Sequence, residues 1–283
     1  EADVANSKIS LVTPVTDYSG FKDVDIVIEA VFEDIEVKKK VFAELNEHCN
    51  QNAILASNTS SLPISTLARA SGRGEKTIGL HFFFPAPVMK LVEIIPALQT
   101  SQETIDTCVT FCESLRKIPI KVKECPGFLV NRILGPYLNE SVRCVEEGLA
   151  TPKEIDDALV RFGMPMGPFL LVDNVGLDIC FHVSRVMVDG YGSRFAVPKL
   201  LEHLYNQKRF GQKTGAGIYR YDGQPDDIQN ILQSIGVQKK NGEFRVERIL
   251  YAMLNEAARC LEEGVASPSD LDISMLAGIG FPQ

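Results

Sequence analysis

The chain has 283 residues, of which 45% are hydrophobic and 23% charged, as in globular proteins large enough for more than one domain. This composition excludes a disordered chain, and no apolar run approaches the roughly 20 residues that a membrane span requires. The formal net charge of −8 argues against nucleic acid as a partner, because nucleic-acid binding requires a basic face.

The cysteines predict neither a disulfide framework nor a metal site. They are odd in number and scattered without C-x-x-C spacing, so we expect small buried side chains in a reducing compartment. They stand at positions 49, 108, 112, 125, 144, 180 and 260. The first residues, EADVANSK, also lack the basic and then apolar layout of a secretory signal.

Over about the first 120 residues, short β-rich runs alternate with helical stretches, which predicts an α/β fold with a doubly wound sheet. The run VDIVIEAV, residues 24–31, is branched-aliphatic almost throughout, as in strands buried on both faces. An amphipathic helix over EVKKKVFAELNEHC follows, with apolar side chains on one face and lysines on the other. The other predicted strands are KISLVTP, AILASN, KTIGLHFF, KLVEII and IPIKVK, and the other predicted helices are PISTLARA and ETIDTCVTFCESLRKI.

From Pro126 onward the pattern becomes helical. GFLVNRILGPYLNESVRCVEEGL has helical periodicity and ends at a glycine, and Thr151 with Glu154 forms a capping box for the next helix. Further helices are predicted over residues 171–190 and 198–207. We therefore divide the chain into a sheet domain, a first helical unit and the start of a second helical unit, at residues 1–124, 125–222 and 240–283.

The helical part contains an internal repeat. Residues 131–158, NRILGPYLNESVRCVEEGLATPKEIDDA, align without gaps with residues 247–274, ERILYAMLNEAARCLEEGVASPSDLDIS, at an offset of 116. Glu247 stands in the second copy where the first has Asn131. The predicted all-α part is therefore a duplication, and the end of the second copy at GIGFPQ favours a truncated chain.

The usual fingerprint of a dinucleotide-binding sheet is missing from the sequence. Such a sheet opens with a strand, a G-x-G-x-x-G turn and a helix whose amino end holds the pyrophosphate. GRGEKT lacks the last glycine, and KTGAG near Lys213 follows helices. Either the fold never had this turn, or roughly thirty residues that carry it precede residue 1. We favour the second explanation and predict an incomplete Rossmann-type sheet.

Two ionisable residues lie in strongly apolar runs, His81 in IGLHFFF and Glu93 in KLVEII. Taken alone, His81 is more often a core histidine that hydrogen-bonds the backbone than a catalyst. A buried carboxylate needs a partner, however, and only the turn FPAPVM separates the two strands. Because an imidazole oriented by a carboxylate is a general base near neutral pH, we expect the two side chains to touch in a catalytic site.

Three further polar stretches each allow two interpretations. SNTSS, residues 57–61, is a capping turn for the next helix or a set of hydroxyls that face a ligand at the carboxyl end of a parallel strand. Asn131 is a packed hydrogen-bond partner or a group that faces the cleft between the domains. The lysine run at residues 38–40 is more often a solvated helix face than a phosphate site, although we expect at least one lysine near the ligand edge of the sheet.

Together these residues resemble the L-3-hydroxyacyl-CoA dehydrogenase family, in the form found inside multifunctional fatty acid oxidation enzymes that also carry an enoyl-CoA hydratase domain. The resemblance covers nearly all of residues 10–222. Its matching stretches are DIVIEAVFED with VKKKVF, ASNTSSLPIS, GLHFFFPAPVMKLVEII, PGFLVNRIL, PMGPFLLVDNVGLD and RFGQKTGAGIYRY. The duplicated helical region points to the multifunctional form, because the single-function enzyme carries one copy per chain and dimerises.

The resemblance implies roles for individual residues. His81 resembles the base that removes the 3-hydroxyl proton as hydride passes to NAD+, and Glu93 resembles the carboxylate that orients this base. Ser60 and Asn131 match catalytic and substrate-binding residues that hold the substrate oxygens. Phe84 stands where the family often has asparagine, which implies a lost side-chain hydrogen bond near the nicotinamide. The implied cofactor contacts are Val31, Phe32, Glu33, Lys38, Ser60, Phe84 and Lys213.

The implied activity is the NAD-dependent oxidation of L-3-hydroxyacyl-CoA to 3-oxoacyl-CoA in fatty acid β-oxidation. The alternative is a catalytically inactive fragment that only binds substrate or supports assembly, because the dinucleotide fingerprint is absent. The implied partners are an acyl-CoA thioester, an upstream enoyl-CoA hydratase domain and a second copy of the chain. The compartment stays open, since the bacterial cytoplasm, the peroxisome and the mitochondrion all host relatives.

Overall fold

Five strands in chain order form one sheet in the computed structural model, which describes residues 7–237 and 240–283. The strands are β1 (Ile26–Glu29), β2 (Ile54–Ser57), β3 (Thr77–Phe82), β4 (Leu91–Pro96) and β5 (Ile118–Lys121). β1, β2 and β3 run parallel, β4 is antiparallel to β3, and β5 is parallel to β4. Three helices alternate with them, α1 (Ile35–His48), α2 (Ile64–Ser71) and α3 (Gln102–Ser114).

Burial explains why the apolar runs become strands. All four residues of β2 are buried, and so are the first five residues of both β3 and β4. Continuous apolar runs of this length are typical of strands covered on both faces. The short connection between β3 and β4 pairs them in antiparallel register, which sets His81 directly opposite Glu93.

Two predictions in the sheet domain are wrong. KISLVTP is not a strand: residues 7–9 are helical, a turn follows, and Leu11 and Val12 are exposed. A strand is stabilised by cross-strand pairs and burial, and this segment has neither among the described residues. The lysine run is also not uniformly solvated, because Lys38 is 1% exposed on the buried side of α1.

The second part is helical, as predicted. Its helices are α4 (Val130–Glu146), α5 (Pro152–Phe162), α6 (Pro168–Val175), α7 (Leu177–Tyr191), α8 (Lys199–Asn206), α9 (Ile228–Ser234), α10 (Val246–Glu262) and α11 (Pro268–Ser274). The capping box of Thr151 and Glu154 is present at the start of α5. The helix expected over residues 171–190 is broken at Gly176, whose φ of 103° interrupts the helix between α6 and α7.

The repeat is visible in the helices. α10 begins and ends 116 residues after α4, and α11 begins 116 residues after α5. α4 and α10 pack against each other, so the two copies share one interface. A single cluster of buried side chains runs from the sheet residues Leu91 and Ile120 into both copies.

The described part of the chain includes no helix with both the length and the apolar character needed to cross a bilayer. All seven cysteines are free thiols, as expected, and five of them are buried. Burial raises the pKa of Cys108 to about 12, which keeps this thiol protonated at neutral pH.

Candidate active site

The centre of the site is a buried pair formed by His81 and Glu93. The Nδ1 atom of His81 lies 2.7 Å from Oε2 of Glu93, so the predicted contact is confirmed. The two side chains are 4% and 0% exposed, respectively. Opposite residues of an antiparallel pair lie on the same face of the sheet, and the β3–β4 register therefore produces this contact.

The second oxygen of Glu93 is held by the backbone at the start of α4. Oε1 accepts hydrogen bonds from the N–H groups of Leu129, at 3.1 Å, and Val130, at 2.9 Å. Unpaired N–H groups at a helix amino end favour a negative charge. Because N–H donors require an acceptor, the carboxylate form of Glu93 fits this setting.

A carboxylate at Oε2 determines which nitrogen of His81 can act as a base. Since the carboxylate only accepts, the proton of the neutral imidazole lies on Nδ1, and the lone pair lies on Nε2. Nε2 has no hydrogen-bond partner among residues 7–237 and 240–283. The ring centroids of Phe83 and Phe128 lie 4.5 and 5.8 Å from that of His81, so apolar groups flank the imidazole.

The turn that leads into α4 is strained. Phe128 has a φ of 55°, in the left-handed region that a bulky side chain rarely adopts. Such a conformation costs about 1–3 kcal/mol and persists only where the surrounding structure imposes it. Phe128 is fully buried, and the next two residues donate to Glu93. The strain therefore lies at the point that aims the helix amino end at the carboxylate.

Ser60 and Asn131 meet where α4 approaches the loop after β2. The Nδ2 atom of Asn131 donates to the carbonyl oxygen of Ser60 at 3.2 Å. The hydroxyl of Ser60 and the side-chain oxygen of Asn131 have no hydrogen-bond partner among the residues described. Asn131 follows Val130 directly, so the four predicted catalytic residues form one connected group.

Lys38 belongs to a buried ionic network at the carboxyl end of β1. Its Nζ lies 2.6 Å from Oε1 of Glu29 and 3.3 Å from Oε2 of Glu33. The other oxygen of Glu29 accepts from the hydroxyl of Ser57 at 2.6 Å. The Lys38 charge is therefore paired with carboxylates at the carboxyl end of β1, and one of these carboxylates also binds the loop that carries Ser60.

Sequence reasoning missed Glu29. The signal was available, because Glu29 is an acid inside the branched-aliphatic run of β1 and a buried acid needs a cationic or polar partner. Glu33, which was predicted, accepts from the N–H of Ser60 at 3.0 Å and from the hydroxyl of Thr59. Glu33 thus connects the Lys38 network to the loop that carries Ser60.

The other residues predicted to contact the cofactor do not all lie at the carboxyl end of β1. Val31 and Phe32 follow β1 there, and the side chain of Phe32 is 87% exposed, as expected of an apolar surface open to a ligand. Phe84 lies in the turn after β3 and is 85% exposed, without a described contact to the pair. Lys213 lies in the helical part, 2.6 Å from Asp178, and no described hydrogen bond or ion pair joins it to the sheet.

Residues 7–237 and 240–283 contain no group of three or more His, Cys, Asp or Glu side chains that could hold a metal ion. The fold places the chain in the class of α/β proteins in which a Rossmann-type sheet is followed by a helical domain. The NAD-binding domain of 3-hydroxyacyl-CoA dehydrogenase matches residues 1–125, and the C-terminal domain of this enzyme matches residues 127–221 and 244–283.

Solved structures and curated proteins agree with these matches. (S)-3-hydroxybutyryl-CoA dehydrogenase from Ralstonia eutropha is 38% identical, with a TM-score of 0.74, and the alignment covers 78% of this chain and 79% of that one. 3-Hydroxybutyryl-CoA dehydrogenase from Escherichia coli is 29% identical, with a TM-score of 0.87, covering 99% and 77%. The fatty acid oxidation complex subunit alpha of Shewanella amazonensis is 44% identical over 97% of this chain and 40% of its own length. The chain belongs to the 3-hydroxyacyl-CoA dehydrogenase family, and it spans about 40% of the length of the curated relatives it matches.

Proposed function

We propose that the chain oxidises L-3-hydroxyacyl-CoA thioesters to 3-oxoacyl-CoA with NAD+, as a step of fatty acid β-oxidation. The observation that carries this proposal is the buried His81–Glu93 pair, in which Glu93 is fixed by the amino end of a helix. A secondary alcohol loses hydride from carbon only as its hydroxyl proton departs, so the reaction needs a positioned base of this kind.

The His81–Glu93 pair supplies the proton transfer. Nε2 of His81 accepts the 3-hydroxyl proton while the C3 oxygen becomes a carbonyl, and Glu93 stabilises the imidazolium that forms. In the reverse direction the same nitrogen returns the proton. The apolar rings beside the imidazole limit the access of water, which strengthens the interaction between the two charges.

Ser60 and Asn131 orient the substrate. Their side-chain oxygens and the Ser60 hydroxyl proton are free to bind the oxygens of a 3-hydroxyacyl group. Since Asn131 lies on α4 and Ser60 on a loop of the sheet, the substrate would bind where the two domains meet. Fixing the C3 hydroxyl against Nε2 converts the proton transfer into a step within one complex.

The residues at the sheet edge fit the nicotinamide end of NAD. Val31 and Phe32 present exposed apolar side chains at the carboxyl end of β1, where ligands bind in sheets of this type. NAD supplies, when bound, the acceptor for the hydride that leaves C3. Lys38 compensates the charges of Glu29 and Glu33, so this edge is not left with unpaired buried carboxylates.

Replacement of His81 tests the proposal. In the full-length protein, His81→Ala should lower the reduction of acetoacetyl-CoA by NADH by at least about 10²-fold, the contribution typical of a general base. His48→Ala is the matched control, because His48 is exposed at the end of α1, at the opposite edge of the sheet. Turnover close to wild type in the His81 variant would contradict the proposed chemistry.

The thioester and the cofactor need separate tests. If coenzyme A is recognised, 3-hydroxybutyryl-CoA should be oxidised far faster than free 3-hydroxybutyrate, and equal rates would exclude that part of the proposal. The competing function is an inactive module that binds the thioester without oxidising or reducing it. Steady-state turnover of acetoacetyl-CoA with NADH by the full-length protein distinguishes the two, because an inactive module would bind the thioester without oxidising NADH.

A further inference from the structure

Where the two repeat copies pack together, the arginine at the start of the first copy binds two glutamates of the second. Nε of Arg132 lies 2.7 Å from Oε1 of Glu256, and its Nη1 and Nη2 lie 2.7 and 2.8 Å from the two oxygens of Glu263. We call this set the Arg132 clasp. Hydrogen bonds from Arg132 hold the pKa of Glu263 below its ordinary value, so the carboxylate stays charged.

The second copy repeats the arginine–glutamate pairing in the opposite direction, with one hydrogen bond to the outer glutamate in place of two. Nε of Arg248 lies 2.6 Å from Oε1 of Glu140, and its Nη1 lies 2.7 Å from Oε2 of Glu147. We call this set the Arg248 clasp. Its three residues are the partners of the Arg132 clasp shifted by 116 positions, so the two copies are related by an approximate two-fold axis.

Only the Arg132 clasp borders the active site. Arg132 is 0% exposed and lies 4.4 Å from the ring centroid of Tyr191, whereas the Arg248 side chain is 35% exposed. The residue before Arg132 is Asn131, which contacts the Ser60 loop. The residue before Arg248 is the exposed Glu247. The arginine–glutamate pairing therefore occurs twice, once beside the proposed catalytic groups and once away from them.

We propose that the second repeat copy positions the catalytic pair through the Arg132 clasp. Residues 129–132 are consecutive at the amino end of α4: the first two donate to Glu93, the third donates to Ser60, and the fourth is held by Glu256 and Glu263. Since a helical turn is stiff, a shift of Arg132 moves the N–H groups that fix Glu93. Arg132, Glu256 and Glu263 are thus positioning residues, and this role depends on the proposed dehydrogenase function.

The two hydrogen bonds between Arg132 and Glu263 suit the Arg132 clasp to positioning the amino end of α4. Two parallel hydrogen bonds between a guanidinium and a carboxylate define orientation as well as distance. A fully buried arginine must also keep its partners, because an unpaired buried charge is strongly unfavourable. The Arg132 clasp therefore allows little displacement of the amino end of α4.

Matched substitutions in the two clasps distinguish an effect on the position of the catalytic pair from an effect on the stability of the protein. Glu263→Gln and Glu147→Gln each remove one charge at positions 116 residues apart, and Glu256 and Glu140 still accept from the arginines. In the full-length protein, Glu263→Gln should lower kcat at least about ten-fold at unchanged KM, because small displacements of catalytic groups are costly. Glu147→Gln should keep kcat within about two-fold of wild type, as expected for a pair remote from the reaction.

A measurement on the ligand-free protein reports positioning without turnover. Amide hydrogen exchange at Leu129 and Val130 should be faster in Glu263→Gln than in wild type and unchanged in Glu147→Gln, since weaker hydrogen bonds to Glu93 open more often. In a Glu93→Gln background, Glu263→Gln should add no further loss of kcat, because both changes act on one hydrogen-bonded unit.

Three results would overturn the inference: equal kcat in the two glutamine variants, unchanged exchange at both amides, or additive losses with Glu93→Gln. If Glu263→Gln does not fold, Glu263→Asp and Glu147→Asp are compared in its place, since aspartate keeps the charge and shortens the reach. Absence of dehydrogenase activity in the wild type would refute the proposed function, and the exchange comparison would still decide whether the clasp holds Glu93.

Discussion

Replacing Glu93 with glutamine tests the centre of the site with the smallest change of shape. The side-chain amide keeps an oxygen that can accept from Leu129 and Val130, but its NH2 group then faces Nδ1 of His81. An NH2 group only donates, so Nδ1 has to become the acceptor and the ring proton moves to Nε2. The nitrogen that faces the substrate then carries a proton and cannot act as the base.

The size of the effect follows from this change of tautomer. Loss of a positioned general base lowers the rate by about 10²–10⁴-fold, which corresponds to about 3–5 kcal/mol of activation free energy. Both backbone hydrogen bonds to Oε1 survive, so the free energy of unfolding should fall by only about 1 kcal/mol, the net value of one hydrogen bond. Substrate binding does not depend on the proton, and KM should change little.

The assay is the oxidation of NADH by acetoacetyl-CoA in the full-length protein, with thermal unfolding measured in parallel. Glu103→Gln serves as the control, because Glu103 is an exposed glutamate of α3 in the same domain. A Glu93→Gln variant that keeps more than about a tenth of the wild-type kcat would refute the reasoning, since it would show that the tautomer of His81 does not limit the rate.

Three further predictions concern stability and reactivity. Lys38→Met should lower the free energy of unfolding in urea by about 3–5 kcal/mol, since it leaves the buried carboxylate of Glu29 without a cationic partner, whereas exposed Lys40→Met should change it little. Hydrogen bonds from Arg248 and Lys240 lower the pKa of Glu147 from 4.5 to about 2, so this contribution is complete above pH 4.5 and is lost as the pH falls toward about 2; the melting temperature should fall across that window, and less so in Glu147→Gln. Cys108 should resist iodoacetamide at neutral pH in the folded protein and react only in urea, and labelling without denaturant would contradict its burial.

Much of the sheet could be predicted because its information is local. The apolar runs around Leu80 and Ile94 predict buried strands, and the short turn between them predicts that His81 and Glu93 are neighbours, which the β3–β4 register confirms. The repeat likewise predicts the positions of α10 and α11 from those of α4 and α5. KISLVTP shows the limit, because a strand-like pattern becomes a strand only where another strand pairs with it.

The rest of the site depends on contacts that spacing does not contain. The N–H groups of Leu129 and Val130 reach Glu93 only because α4 begins over β4, and sequence patterns do not encode the position of a helix amino end in space. Lys38 sits in a lysine-rich helix that suggests solvent exposure, and its burial follows from its pairing with two acids that precede the helix, Glu29 and Glu33. Glu29 within the apolar run of β1 signals the need for a cationic or polar partner, but spacing does not identify which lysine of residues 38–40 supplies it.

The support of Glu93 by main-chain donors has a consequence for evolution of the family. Every residue except proline carries an N–H, so substitutions at positions 129 and 130 preserve the electrostatic environment of the carboxylate as long as the new side chains fill the core. A carboxylate held by arginine or lysine side chains would lose its charge partner in a single substitution. The acid at position 93 is thus restricted by its chemistry, whereas positions 129 and 130 should tolerate any residue other than proline that fills the same space.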